Sequence, residues 1–180
     1  MQRRSFLIAC AVAAGVSGCD HLQGQATPSE PAAIPVDAKL SISRDGSGKL
    51  QFKYDAPFAD ADGNFNFADG AAAKASVNLS FHIVDDSGLG LTFRRDGRDA
   101  IWIVEKALLA DTGSTSPLGP YQGKQFRDFK VSGDGKSLTL LDENGDGLLY
   151  RYALRFDMGA EIVAHDPDVN NGTGGGHGGD

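Results

Sequence analysis

The chain predicts an all-β fold: a single antiparallel two-sheet β-sandwich, immunoglobulin-like in architecture. Three observations carry that prediction. Across residues 38–168, apolar and polar residues alternate with period two, as in half-buried strands. Asp-Gly and Ser-Gly pairs separate the alternating runs, and Gly accepts the positive φ that tight hairpin turns require. No run shows a convincing apolar stripe of helical period. The segment holds roughly 130 residues, enough for one domain and too few for two comfortable ones.

Before the domain, residues 1–18 read as an export signal. Arg3 and Arg4 supply positive charge, Phe6 to Val16 is apolar or small, and Ser17-Gly18 places small residues before a cleavage point. The apolar run is about eleven residues, short of the roughly 20 that span a bilayer as a helix. A buried N-terminal helix is the alternative, and the lack of any acidic residue before Asp20 argues against it. Val16-Ser17-Gly18-Cys19 matches the lipobox of bacterial lipoproteins at all four positions. That motif needs a thiol at the new N-terminus to take the lipid, so Cys19 is the expected acylated residue. Each buried methylene adds about 0.8 kcal/mol, and two or three acyl chains make a firm anchor in the lipid bilayer. Gln2-Arg3-Arg4-Ser5-Phe6-Leu7 also resembles a twin-arginine export motif. Asp20 resembles an inner-membrane retention signal of enteric-type bacteria.

Residues 19–37 read as a flexible tether with three prolines and no periodicity, and residues 169–180 as a disordered glycine-rich tail. Cleavage would lower Lys plus Arg from 17 to 15 against 24 Asp plus Glu, moving net charge from −7 to −9. Such acidity disfavours nucleic acid as a partner. It also directs membrane contact through the anchor rather than through the protein surface. Cys10 leaves with the signal and Cys19 is acylated, so the mature domain has neither a disulfide nor a thiolate site.

The strands follow in order. Leu40/Ile42 and Leu50/Phe52/Tyr54 are short alternations. Val77, Leu79, Phe81 and Ile83 form a longer one, with His82 on the outer face. Leu89/Leu91/Phe93, Ile101/Ile103, Phe129/Val131 and Leu138/Leu140 come next, and Leu148 to Phe156 makes a second long apolar face. The total is seven to nine strands. Ile101 to Ala110 allows one helical turn after a strand, and Lys106 to Gln125, rich in Gly, Ser, Thr and Pro, reads as a long surface loop.

Candidate sites are sparse. Asp142, Asn144 and Asp146, followed by Gly147, resemble the first half of a calcium loop, which places oxygens at positions 1, 3 and 5. The closing Glu at position 12 is replaced by Ala153, and the flanks are strands, so a plain hairpin turn is the competing reading. Asp60, Asp62 and Asn64, with Asp69 beyond, form a second acidic loop, read as solvated. His165, Asp166 and Asp168, with His177 and Asp180, are metal-capable side chains on or next to the glycine tail. Trp102, between Ile101 and Ile103, reads as a core or edge aromatic. No nucleophile elbow or phosphate-binding glycine loop is present. The expectation is therefore no catalytic residue, no cofactor and no firm metal site.

Leu138-Thr-Leu-Leu-Asp142-Glu-Asn144, leading into Tyr150-Arg-Tyr152, and the closing Asp166-Pro-Asp-Val-Asn-Asn-Gly172 resemble the DP-EP family of small bacterial proteins. The similarity is concentrated in about the last forty residues of the domain. It implies an antiparallel β-sandwich and no established activity. The acidic loop at Ala59–Gly70 and the lipoprotein signal depart from that compact pattern. The expected function is a membrane-anchored module facing the periplasm or cell exterior, which binds an envelope protein or glycan without catalysis. A calcium-stabilised structural module and a hydrolase with a site built from separated loops are the alternatives.

Overall fold

The computed structural model describes residues 32–172. The expected export signal, Cys19, residues 20–31 of the expected tether, and residues 173–180 of the tail, with His177 and Asp180, lie outside the described residues. The strands are β1 (Ile34–Arg44), β2 (Leu50–Asp55), β3 (Phe65–Asn66), β4 (Val77–Asp85), β5 (Thr92–Phe93), β6 (Ile101–Glu105), β7 (Phe126–Val131), β8 (Ser137–Asp142), β9 (Leu149–Met158), β10 (Glu161–His165) and β11 (Asp168–Asn170). Two short helices, α1 (Gly97–Ala100) and α2 (Lys106–Thr112), flank β6. Asp96 caps α1 by accepting from the Arg98 amide, and the β-branched and aromatic run Ile101-Trp-Ile-Val returns the chain to extended backbone. Gly113, in the left-handed region, ends α2. Lys106 to Gln125, expected as a long loop save for one helical turn allowed up to Ala110, is helical over Lys106–Thr112.

The strands form two sheets. One runs β2-β1-β4-β8-β7. The other is built around β9, with β10 and β11 along one side, β5 and β6 along the other, and β3 beyond β11. The all-β class and the sandwich-like layering stand. The expected all-antiparallel pairing does not: β1 lies parallel to β4, from Ile34 opposite Val77 to Ile42 opposite Asp85, and β11 lies parallel to β3. The cause is the long acidic connection. After the β1–β2 hairpin, residues 56–76 cross from one edge of β1 to the other, long enough for the crossover a parallel pair needs.

The domain limits also shift. β1 begins at Ile34, not at 38, and buries Val36, Ala38, Leu40 and Ile42 completely. Pro35 is tolerated because β2 pairs only with Lys39–Arg44, leaving the strand edge unpaired beside Pro35. At the far end, β11 and buried Asn171 carry the fold past residue 168.

Aromatic residues join the two layers. Phe81 on β4 meets Tyr152 on β9 at 5.9 Å between ring centroids, Phe126 on β7 meets Tyr150 at 4.9 Å, and Phe52 on β2 meets Phe156 at 5.7 Å. Each fully buried ring contributes about 1.5–3 kcal/mol relative to exposure. Gly63, at φ 89°, lets the acidic connection close over this core. A Cβ there would lie 2.5 Å from the Tyr54 ring, and the Gly63 carbonyl accepts from the Tyr152 hydroxyl at 2.7 Å.

Candidate functional site

One end of the sandwich carries an apolar cleft of about 470 Å³, within the usual range for ligand sites. Its base is β6, through Ile103 and Glu105, and Tyr150 of β9. One wall is α2, through Leu108, and the other is the loop 113–125, through Leu118, Pro120 and Tyr121. Leu108 is 54% exposed and Leu118 is 70% exposed, so two large apolar side chains stand at its rim in water.

Several contacts fix the loop wall. Arg151 donates to the Thr115 carbonyl, Arg98 donates to the Tyr121 carbonyl, and the Ser116 hydroxyl donates to Asp166. Tyr121 accepts from the Gln125 amide at 3.0 Å and meets Phe126 edge-on at 5.2 Å. The Tyr150 hydroxyl donates to Asp146. Burial first, and that carboxylate second, push its pKa up, so it stays a neutral hydroxyl. Glu105 is the N-cap residue of α2 but its side chain makes no capping bond, and among the described residues its carboxylate has no hydrogen-bond or ion-pair partner. Two neighbouring cations, Lys106 and Arg151, are committed to Asp168. Those two cations hold Asp168 below the usual carboxylate range, against the opposing effect of burial.

The strand registers place this cleft at the end where the domain begins. Ile34 pairs with Val77, Val77 with Asp142, and Asp142 with Phe126, one transverse row across the first sheet. Phe126 packs on Tyr150, which pairs with Glu105 in the second.

The sequence candidates distribute differently from expectation. Asp142 and Asn144 turn into the protein, at 0% and 2% exposure, while Asp146 stays outside. Asp142 Oδ1 accepts from the Asn144 amide, the Gln125 side chain and the Asn171 side chain at 2.9–3.0 Å. The Asn144 side-chain nitrogen donates to the carbonyls of Phe67, Ala72 and Ala75. Asp142 and Asn144 thus belong to one buried hydrogen-bonded network, while Asp146 accepts from the Leu148 amide and the Tyr150 hydroxyl. Burial pushes the Asp142 carboxyl up to about 6.

In the second acidic loop, Asp60 accepts from the Asp62 and Asn64 amides and the Asn64 side chain, which closes the turn internally. Those bonds, the Asn64 side chain first, hold its pKa low. His165 stacks on Phe52 at 4.4 Å and on Tyr54 at 5.7 Å, and burial lowers its pKa. Asp166 and Asp168 take the Ser116 and Lys106/Arg151 contacts and do not join it. His82 is an outer-face residue, beside Ser137 at 2.9 Å and Asp37 at 3.5 Å. Trp102 is half-buried under the Arg155 guanidinium, 3.8 Å from the ring centroid. Among the described residues, no three His, Cys, Asp or Glu side chains are grouped to hold a metal ion, and no helix is long and apolar enough to cross a membrane.

The cleft residues Leu108, Leu118 and Tyr121 were not anticipated as a site. The available signal was large apolar residues inside a Gly/Ser/Pro-rich stretch that otherwise reads as solvated. No protein-family model matches the chain, and no curated protein matches it.

Proposed function

We propose that the protein is a bacterial lipoprotein of the cell envelope, held to the bilayer by acylated Cys19, whose β-sandwich binds an envelope component without catalysis. The cleft carries this reading: Leu108 and Leu118 leave more apolar surface in water than a closed domain needs, around a pocket of ligand size. The lipobox at Val16–Cys19 supports the anchor, and the start of β1 at the cleft end supports a binding face near the membrane. The neutral Tyr150 and structurally committed Asp142, Asn144 and Asp168 favour binding over chemistry at this end. The resemblance of the last forty residues to the DP-EP family is part of the proposal and adds no activity to it.

Two variants test the reading. Cys19→Ser should release the protein from membranes on fractionation while leaving its melting temperature unchanged; continued membrane fractionation would remove the anchor. The pair Leu108→Asp/Leu118→Asp should keep the fold and the membrane attachment. It should also abolish recovery of the crosslinked partner from intact cells, and undiminished recovery would move the binding site elsewhere.

A further inference from the structure

Resting on that reading of the cleft, we propose that its occupant is an extended peptide segment of an envelope protein, apolar in its side chains and carrying a basic residue that pairs with Glu105. Three independent observations select this chemistry.

The first is charge. Glu105 is half-buried at the cleft base, and its carboxylate is unpartnered among the described residues. No lysine or arginine lines the cleft, and Lys106 and Arg151 are committed to Asp168. An occupant that removed water from Glu105 without supplying a cation would leave a carboxylate desolvated, which costs more than the apolar contact returns. The surrounding chain is acidic, 24 Asp plus Glu against 17 Lys plus Arg, so the same sign of partner is favoured at long range.

The second is backbone. The Tyr152 amide donates to the Pro167 carbonyl on the β11 side of β9. Main-chain groups alternate along a strand, so Arg151 and Ala153 face β6, opposite Val104 and Trp102. The amide and carbonyl of Ile103 and the amide of Glu105 then face away from β9, along the cleft base, while the Glu105 carbonyl, at the N-cap of α2, accepts the first hydrogen bond of that helix. Among the described residues no strand pairs with that outer edge of β6. An extended peptide can add there as a further strand, with main-chain hydrogen bonds supplying affinity. A glycan or an acyl chain would leave those groups unused.

The third is the apolar contact. Leu108 and Leu118 rise from α2 and from the facing loop, and Tyr121 and Tyr150 lie beneath, a pocket for one or two large apolar side chains.

The test uses acylated protein purified from membranes and a fluorescein-labelled peptide, Leu-Lys-Leu-Lys-Leu, read by fluorescence anisotropy. Saturable binding is expected. Leu-Glu-Leu-Glu-Leu should bind at least tenfold more weakly. Leu-Lys-Leu-Lys-Leu N-methylated at alternate amides should also lose at least tenfold. Glu105→Lys should invert the charge preference without lowering the melting temperature. Equal binding of the two peptides, insensitivity to N-methylation, or binding that survives Leu118→Asp would each overturn the proposal. Binding of the cleft to neutral vesicles or glycan fragments in place of the peptide would overturn it too. If peptide binding fails while partner recovery from cells still depends on Leu108 and Leu118, the peptide chemistry is wrong and the cleft reading stands. If both fail, the cleft reading falls with it.

Discussion

Asp142 is the residue on which the cleft end turns. Its Oδ1 gathers the loop through Gln125, the β8–β9 turn through Asn144, and the C-terminal strand region through Asn171. Its Oδ2, with the side-chain oxygens of Asn144 and Asn171, has no donor among the described residues. Burial lifts the carboxyl to about 6, whereas the unfolded chain titrates near 4. Between those values the folded state holds a proton that the unfolded state has released. The stability contributed by this group is therefore complete below pH 4 and lost as pH rises through 6, by about 3 kcal/mol at most. Asp142→Asn should raise the melting temperature at pH 7.5 and leave it unchanged at pH 4. A fall at pH 7.5, with native protein alone stabilised by millimolar calcium, would place a cation on the buried oxygens. His165 works in the opposite direction, since burial favours its neutral form and its contribution is lost on acidification below about 6.5. Comparing variant with native protein at each pH cancels it. Asn144→Ala removes one donor shared by three carbonyls and should cost about 2–4 kcal/mol in urea unfolding; a loss below 0.5 kcal/mol would mean that water takes its place. The inward turn of Asp142 was legible in the sequence, because it is in phase with Leu138 and Leu140. The one-three-five spacing to Asn144 and Asp146 drew attention to a metal instead.

Among the elements, the strands with clean alternation were readable because one buried face forces the pattern. Val77–Asp85 and Leu149–Met158 show it, with Val77, Leu79, Phe81, Tyr150, Tyr152, Leu154 and Phe156 all buried. β3 and β11 were not readable: each is two or three residues long and is held by pairing to a neighbour rather than by its own pattern. The parallel lie of β1 on β4 was equally hidden, since alternation does not record the direction of a partner. The crossover that creates it depends on Gly63, where the Tyr54 ring fills the space a side chain would need. Gly63→Ala should destabilise the fold by about 2 kcal/mol or more, combining an unfavourable positive φ with overpacking, as read from denaturant midpoints. An unchanged midpoint would show that the connection can close by another path. α2 was half-anticipated as a turn following β6. Its importance lies in presenting Leu108, which no periodicity marks.

For the whole molecule, the end where β1 starts is also the end that carries the cleft, the buried Asp142 cluster and the last strand. The anchor is proposed at Cys19 from the Val16–Cys19 motif, and the register of Ile34, Val77, Asp142 and Phe126 brings the cleft to the end of the domain where β1 starts. Sequence alone could not make that link, because residues at 34, 105, 118 and 150 meet only through the topology. The most direct measurement is site-specific photocrosslinking in intact cells, with the reactive group placed either at Leu118 or at exposed Lys53 on β2. A discrete crosslinked partner is expected from Leu118, lost when Glu105→Lys is added, and none from Lys53. Equal crosslinking from both positions, or none from Leu118 in membrane-anchored protein, would contradict the proposed binding face.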